Sequence, residues 1–86
     1  MKTKVEIADI NKAIKSVDYT KMGKKMTIAL VTMTNGHEVV GVAGCVDPEN
    51  YDQTIGEKIA LDKAKDQMWP LLGFQLQCER HAAGLS

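Results

Sequence analysis

The run MTIALVTMTNGHEVVGVAGCV, residues 26–46, decides the fold. Met26 to Met33 and Glu38 to Val46 are two runs rich in β-branched and apolar residues, and Asn35-Gly36 lies between them. Asn-Gly in that setting is the strongest short-range signal of a β-hairpin, because both central positions of a type I′ turn require φ above zero. With Asn35 and Gly36 as a two-residue loop, Thr34 faces His37, Thr32 faces Val39, Leu30 faces Gly41, Ile28 faces Ala43 and Met26 faces Cys45. One face then sets large residues against small ones, so that a helix can lie close over Gly41 and Ala43. The other face carries Ala29, Val31, Val40 and Val42 and is apolar too. A hairpin apolar on both sides is not half-solvated in the usual way. Either helices cover both faces, or Val31, Val40 and Val42 meet another subunit and the chain is a homo-oligomer.

Upstream, Ile7, Ile10, Ile14 and Val17 recur at three- and four-residue steps, which predicts an amphipathic helix of about three turns. Thr3 with Glu6 three residues on has the spacing of a capping box, so the helix is expected to begin near Val5. Asp18 to Met22 then reads as a turn or a brief edge strand, ending at Gly23. Downstream, Asp47-Pro48-Glu49-Asn50 combines a capping Asp, Pro at the first helical position and an acid in the first turn. Asn50 with Gln53 is a second capping arrangement, and a helix is expected from Pro48 or Tyr51 to Met68. Its i to i+4 row Gly56, Ala60, Ala64, Met68 is small at the start, which lets another backbone approach closely, most simply the hairpin. Pro70 predicts a kink or break at Trp69, followed by a second helical piece to Ala82 that ends at Gly84, with a strand over Phe74 to Cys78 as the competing reading. The fold class is therefore α+β: an N-terminal helix, an antiparallel hairpin and a long C-terminal helix kinked at Trp69-Pro70, all in one domain over residues 1–86.

Eleven Lys and Arg balance eleven Asp and Glu, and 44% hydrophobic with 26% charged residues fits a globular chain, so nucleic acid is not the expected partner. Eighty-six residues leave no room for a second core. Two cysteines, Cys45 and Cys78, are too few for a disulfide framework and are expected to be free thiols. Lys2, Lys4, Glu6 and Asp9 argue against a signal peptide, and the apolar runs fall far short of the roughly 18–20 residues that span a bilayer. A reducing cytoplasm is the expected location. One charge asymmetry stands out. Up to Ala43 there are seven Lys against four acids (+3), and beyond it four basic residues against seven acidic ones (−3). Either the two halves attract on folding, or Lys21, Lys24 and Lys25 form a basic site for an anionic partner.

Several residue constellations bear on chemistry. Met22-Gly23-Lys24-Lys25 lacks the upstream glycine and the following Ser or Thr of a Walker-type phosphate loop. Gly41-Val42-Ala43-Gly44 has no basic residue beside it and reads as close packing under a helix. Of Cys45, Cys78, His81 and His37, only Cys78 and His81 have a spacing that shares a helix face, whereas a structural zinc site needs four ligands, so no metal and no cofactor are expected. Cys78 with His81 has no third orienting group for nucleophilic catalysis, and His37 reads as an exposed turn residue. Tyr19, Tyr51 and Trp69, with Lys21, Lys24, Lys25 and Arg80, have the types that could stack on a base and neutralise phosphate: a candidate pocket for a nucleotide-like anion. The competing reading has Trp69 anchoring the core and Tyr51 packing at the helix start.

The combination of Thr34-Asn35-Gly36, Val40-Gly41, Asp47-Pro48-Glu49-Asn50-Tyr51-Asp52, Ile55-Gly56-Glu57-Lys58-Ile59-Ala60 and Trp69-Pro70-Leu71-Leu72-Gly73-Phe74 resembles the small tailed-phage proteins labelled gp forty-nine/sixty-six. The match runs from about Asp18 to Glu79. The departures are Met22 and Lys24-Lys25, where relatives often carry Pro-Gly or Thr, and Leu72, where Glu is common. The resemblance implies a virus-encoded protein made in the host bacterial cytoplasm and implies no catalytic residues. Small phage accessory proteins of this size commonly act by stoichiometric binding. The expectation is a non-enzymatic counter-defence protein that sequesters a nucleotide-derived signal or blocks a host protein, the alternative being a minor structural or packaging protein of the virion.

Overall fold

In the computed structural model, which describes residues 3–45, Glu49 and residues 52–85, the elements run α1 (Ile7–Lys12), β1 (Ile14–Met22), β2 (Met26–Met33), β3 (Glu38–Gly44) and α2 (Gln53–Ala82). The three strands form one antiparallel sheet in the order β1-β2-β3. The chain is α+β as expected, with a full third strand in place of a brief one. Among the described residues no helix is long and apolar enough to cross a membrane.

The hairpin forms where Asn35-Gly36 places it, but its register differs from the expectation by one residue. Thr32 pairs with Glu38, Leu30 with Val40, Ile28 with Val42 and Met26 with Gly44. The loop holds three residues. Met33 N–H donates to His37 O at 2.8 Å, Gly36 N–H donates to Met33 O at 2.9 Å, and Gly36 takes φ +88°. Asn35 Oδ1 accepts the His37 N–H at 3.0 Å. A three-residue loop with a left-handed glycine is the next solution after the two-residue turn, and it uses the same residue pair. Because side chains alternate with period two, the shift regroups the faces. Thr27, Ala29, Val31 and Met33 share the inner face with Val39, Gly41 and Ala43, all of them buried. Val40 and Val42 lie on the outer face, and Val31 is fully buried on the inner one, so the three valines do not form one surface.

The long N-terminal helix is corrected. Helix α1 is six residues long, capped by Glu6, whose N–H donates to Asp9 Oδ2 at 2.8 Å; the cap is therefore Glu6 and not Thr3. Ile14 and Val17 belong to β1. A bulge at Lys15 explains the misleading periodicity: Ile14 pairs with Met33 and Ser16 with Thr32, so Ile14 and Val17 reach the same face although three residues apart. Thr34 N–H donates to Ala13 O at 2.9 Å and ties the α1–β1 junction to the hairpin loop.

Helix α2 lies on the inner face along β3 and β2. A Cβ on Gly41 would sit 1.9 Å from Ala60 O and 2.5 Å from Ala64 N, so helix and strand backbones are in direct contact. This is the close approach anticipated from the small-residue row. Ile10, Val31, Met33, Val39, Ala64 and Met68 form the main core, with Ala29, Ala43 and Ala60 as a smaller cluster beside it. Gln67 Nε2 donates to Val40 O and fastens the helix to β3. The N-cap is Asp52, whose Oδ1 accepts from Thr54 N–H at 2.9 Å and Ile55 N–H at 3.3 Å, so the helix starts later than Pro48 or Tyr51. The capping expectations on Asp47, Pro48 and Asn50 lie outside the described residues. Pro70 sits inside the helix without ending it, and Phe74 to Cys78 is helical, not a strand. Gly84 closes the helix: its N–H donates to His81 O at 3.0 Å and Leu85 N–H to Arg80 O at 2.9 Å, a Schellman pattern.

Candidate functional site

Of the seven residues offered for an anion site, four come together at the end of the sheet where β1 turns into β2. Lys24 and Lys25 stand in the three-residue turn between Met22 and Met26, which pair with each other. Lys21 and Tyr19 lie on β1, opposite Thr27 and Ala29 and therefore on the inner face beside α2. From Tyr19 to His37 the sequence contains no acid, so this corner carries the excess positive charge of the first half. Cys45 N–H donates to Lys25 O at 2.9 Å, which draws the chain leaving β3 against the turn.

A cleft of about 100 Å³ opens here between the strand ends and the first turns of α2. Lys25, Thr27 and Cys45 line the sheet side, and Asp52, Ile55 and Ile59 the helix side. Ile55 and Ile59 are 58% and 42% exposed and so lie outside the core. The helix N-terminus itself is not a free anion cradle, because the Asp52 carboxylate already accepts the Thr54 and Ile55 amides. Burial pushes the Tyr19 phenol above its usual value near 10, and the carboxylates of Glu57 and Asp62 push it the same way. Tyr19 is thus a neutral hydroxyl at the border between the lysine corner and the acidic flank of α2. The arrangement offers cations and an apolar wall at one place, which suits a ligand with a phosphate at one end and a flat or apolar group at the other.

The other three candidates are elsewhere. Trp69 packs against the main core, about 20 Å along the helix axis from Gly56 in the cleft, and Arg80 lies about 36 Å from it. Tyr51 lies outside the described residues. His37 is exposed, as a turn residue should be, and with Met33, Leu71, Phe74 and Cys78 it lines a groove of about 390 Å³ at the opposite end of the sheet. Cys45 and Cys78 are both free, and among the described residues no group of three or more His, Cys, Asp or Glu could hold a metal ion. Sequence reasoning missed Thr27, Cys45, Ile55 and Ile59. Only the Ile55/Ile59 pair left a trace, as an apolar flank beside the small-residue row.

Residues 5–79 match the family model described as phage protein (N4 Gp49/phage Sf6 gene 66). No curated protein and no solved structure matches the chain.

Proposed function

Because the chain belongs to the phage protein (N4 Gp49/phage Sf6 gene 66) family, we propose that it is a non-enzymatic accessory protein of the phage that binds and neutralises a host factor in the bacterial cytoplasm. The reading supported best is sequestration of a nucleotide-derived signal, as a counter to host defence. One observation carries it: Lys25 lines the cleft together with Cys45, Asp52, Ile55 and Ile59, Lys24 stands beside it in the same turn, and Lys21 lies on the neighbouring strand. Ammonium groups would neutralise phosphate charge, and the apolar walls would take a base or sugar face. Nothing in this requires bond-making; capture at equilibrium, with protein in excess of signal, is the whole mechanism. Since the lysines are exposed, the affinity has a large screened component and falls with salt.

The test is the double substitution Lys24→Glu/Lys25→Glu, titrated with linear and cyclic mono- and dinucleotides. Binding by the wild type should disappear, while the melting temperature stays nearly unchanged, because both side chains are exposed. Unchanged affinity in the variant eliminates this site.

A second reading, contact with a host protein or another subunit, is favoured by the outer face of the sheet. Val40 is 43% and Met22 56% exposed there, beside half-buried Ile28, Leu30 and Val42, and among the described residues no element lies over them. Val40→Glu should abolish such a contact.

A further inference from the structure

The cleft at the lysine corner has walls of opposite charge. Lys25 lines it from the sheet side and Asp52 from the helix side, and Ile55 and Ile59 follow Asp52 one turn apart along α2. Its volume of about 100 Å³ is well below the roughly 300 Å³ at which pockets begin to enclose a drug-sized ligand. The cleft therefore admits one ring of a nucleotide-like molecule and leaves the rest outside, and the walls decide which part enters. A phosphate drawn in beside Asp52 meets a like charge, and the amides of Thr54 and Ile55 that could offset it already donate to that carboxylate. On the turn, the same phosphate meets Lys25 and the neighbouring Lys24, in a stretch that holds no acid from Tyr19 to His37.

We propose that Asp52 reads the uncharged end of the ligand: an amino-bearing base enters the cleft, lays a face on Ile55 and Ile59 and donates N–H to the Asp52 carboxylate, while the phosphate stays outside on the lysine turn. This rests on the nucleotide reading of the site and narrows it. Both cap hydrogen bonds of Asp52 end on Oδ1, at 2.9 and 3.3 Å, so the cap does not use the acceptor capacity of Oδ2. A carboxylate accepts and does not donate, which favours a base edge with an amino group, as adenine, cytosine and guanine have. Uracil presents one N–H between two carbonyl oxygens, and those oxygens are repelled by the same carboxylate. A ribose diol also offers donors, but the exposed apolar side chains of Ile55 and Ile59 suit the flat face of a base better than a hydroxyl-bearing ring.

Asp52 thus has two roles on two oxygens, the helix start on Oδ1 and the ligand on Oδ2. Asparagine separates them. It is as good an N-cap as aspartate, and with its carbonyl oxygen at the cap it places an NH2 donor where the second carboxylate oxygen stood. Serine also caps the helix and offers no carboxylate.

The experiment is calorimetric titration of the full chain with CMP, UMP, dCMP and inorganic pyrophosphate, for the wild type, Asp52→Asn, Asp52→Ser and Lys24→Glu/Lys25→Glu, each with its melting curve. CMP and UMP have the same ring size and differ where an amino group replaces a carbonyl. The wild type should bind CMP about tenfold tighter than UMP. In Asp52→Asn and Asp52→Ser that ratio should fall to one or below, with pyrophosphate bound at least as well as by the wild type and the melting temperature nearly unchanged. Lys24→Glu/Lys25→Glu should lose all four ligands. A wild type that binds CMP and UMP equally overturns the inference, as does a ratio that survives both Asp52 variants; in either case the lysine site and the proposed function stand. A preference for CMP over dCMP that disappears with Asp52, while the base preference stays, overturns it in favour of a ribose contact. Absence of any nucleotide binding by the wild type overturns the functional reading and this inference together.

Discussion

Tyr19 marks the boundary between the two oppositely charged halves of the chain. On the inner face of β1 it is partly desolvated and lies within the field of Glu57 and Asp62, so its neutral form is favoured in the fold. With the folded value raised above an unfolded value near 10, the stabilisation is fully present below pH 10 and is lost as the pH climbs through the raised value. Ultraviolet titration of phenolate should therefore reveal a component above the ordinary tyrosine range that Tyr19→Phe removes. Glu57→Gln should bring it only part of the way back, because desolvation is the larger cause. Ionisation at the ordinary value would contradict the placement of Tyr19 beside α2. The residue types suited to an anion, Lys21, Lys24, Lys25 and Tyr19, were legible in the sequence. Their company was not: Trp69 and Arg80 have equally suitable chemistry, and only the path of α2 reveals that it carries them away from the turn.

At the scale of elements, the contact of α2 with β3 rests on the absence of a side chain at Gly41. Its Cβ would strike helix backbone at Ala60 and Ala64, which cannot rotate away. Gly41→Ala should therefore lift the helix from the sheet at a cost of at least about 2 kcal/mol, a fall in melting temperature of about 10 °C or more. Gly73→Ala makes the same chemical change in a helix position with nothing within 4 Å, and should raise stability by up to about 1 kcal/mol. Equal melting temperatures for the two variants would contradict the packing. The row Gly56, Ala60, Ala64, Met68 made this contact legible, and Asn35-Gly36 made the hairpin legible. Register was not, since Asn-Gly serves a two-residue and a three-residue loop alike, and one residue of slip reassigned Val31 from a surface to the core. Strand β1 was hidden by its own bulge, which gave Ile14 and Val17 a helical spacing on a sheet face.

Viewed whole, the molecule is a three-stranded sheet with a helix along its inner face, basic at the β1–β2 turn and with exposed apolar side chains on the outer sheet face and at Leu71 and Phe74 of α2. Under the proposed function, the lysine corner is the surface whose charge selects an anionic partner. Salt and charge reversal should act there together: raising ionic strength should weaken nucleotide binding by the wild type, and Lys24→Glu/Lys25→Glu should remove what salt screens. The most direct test is a native mass spectrum of the protein purified from phage-infected bacteria, followed by a denaturing spectrum that releases small molecules. Sequestration predicts a stoichiometric small anion, released on denaturation and missing from the Lys24→Glu/Lys25→Glu protein. A protein that carries no small molecule, or that arrives bound to a host protein instead, would contradict it.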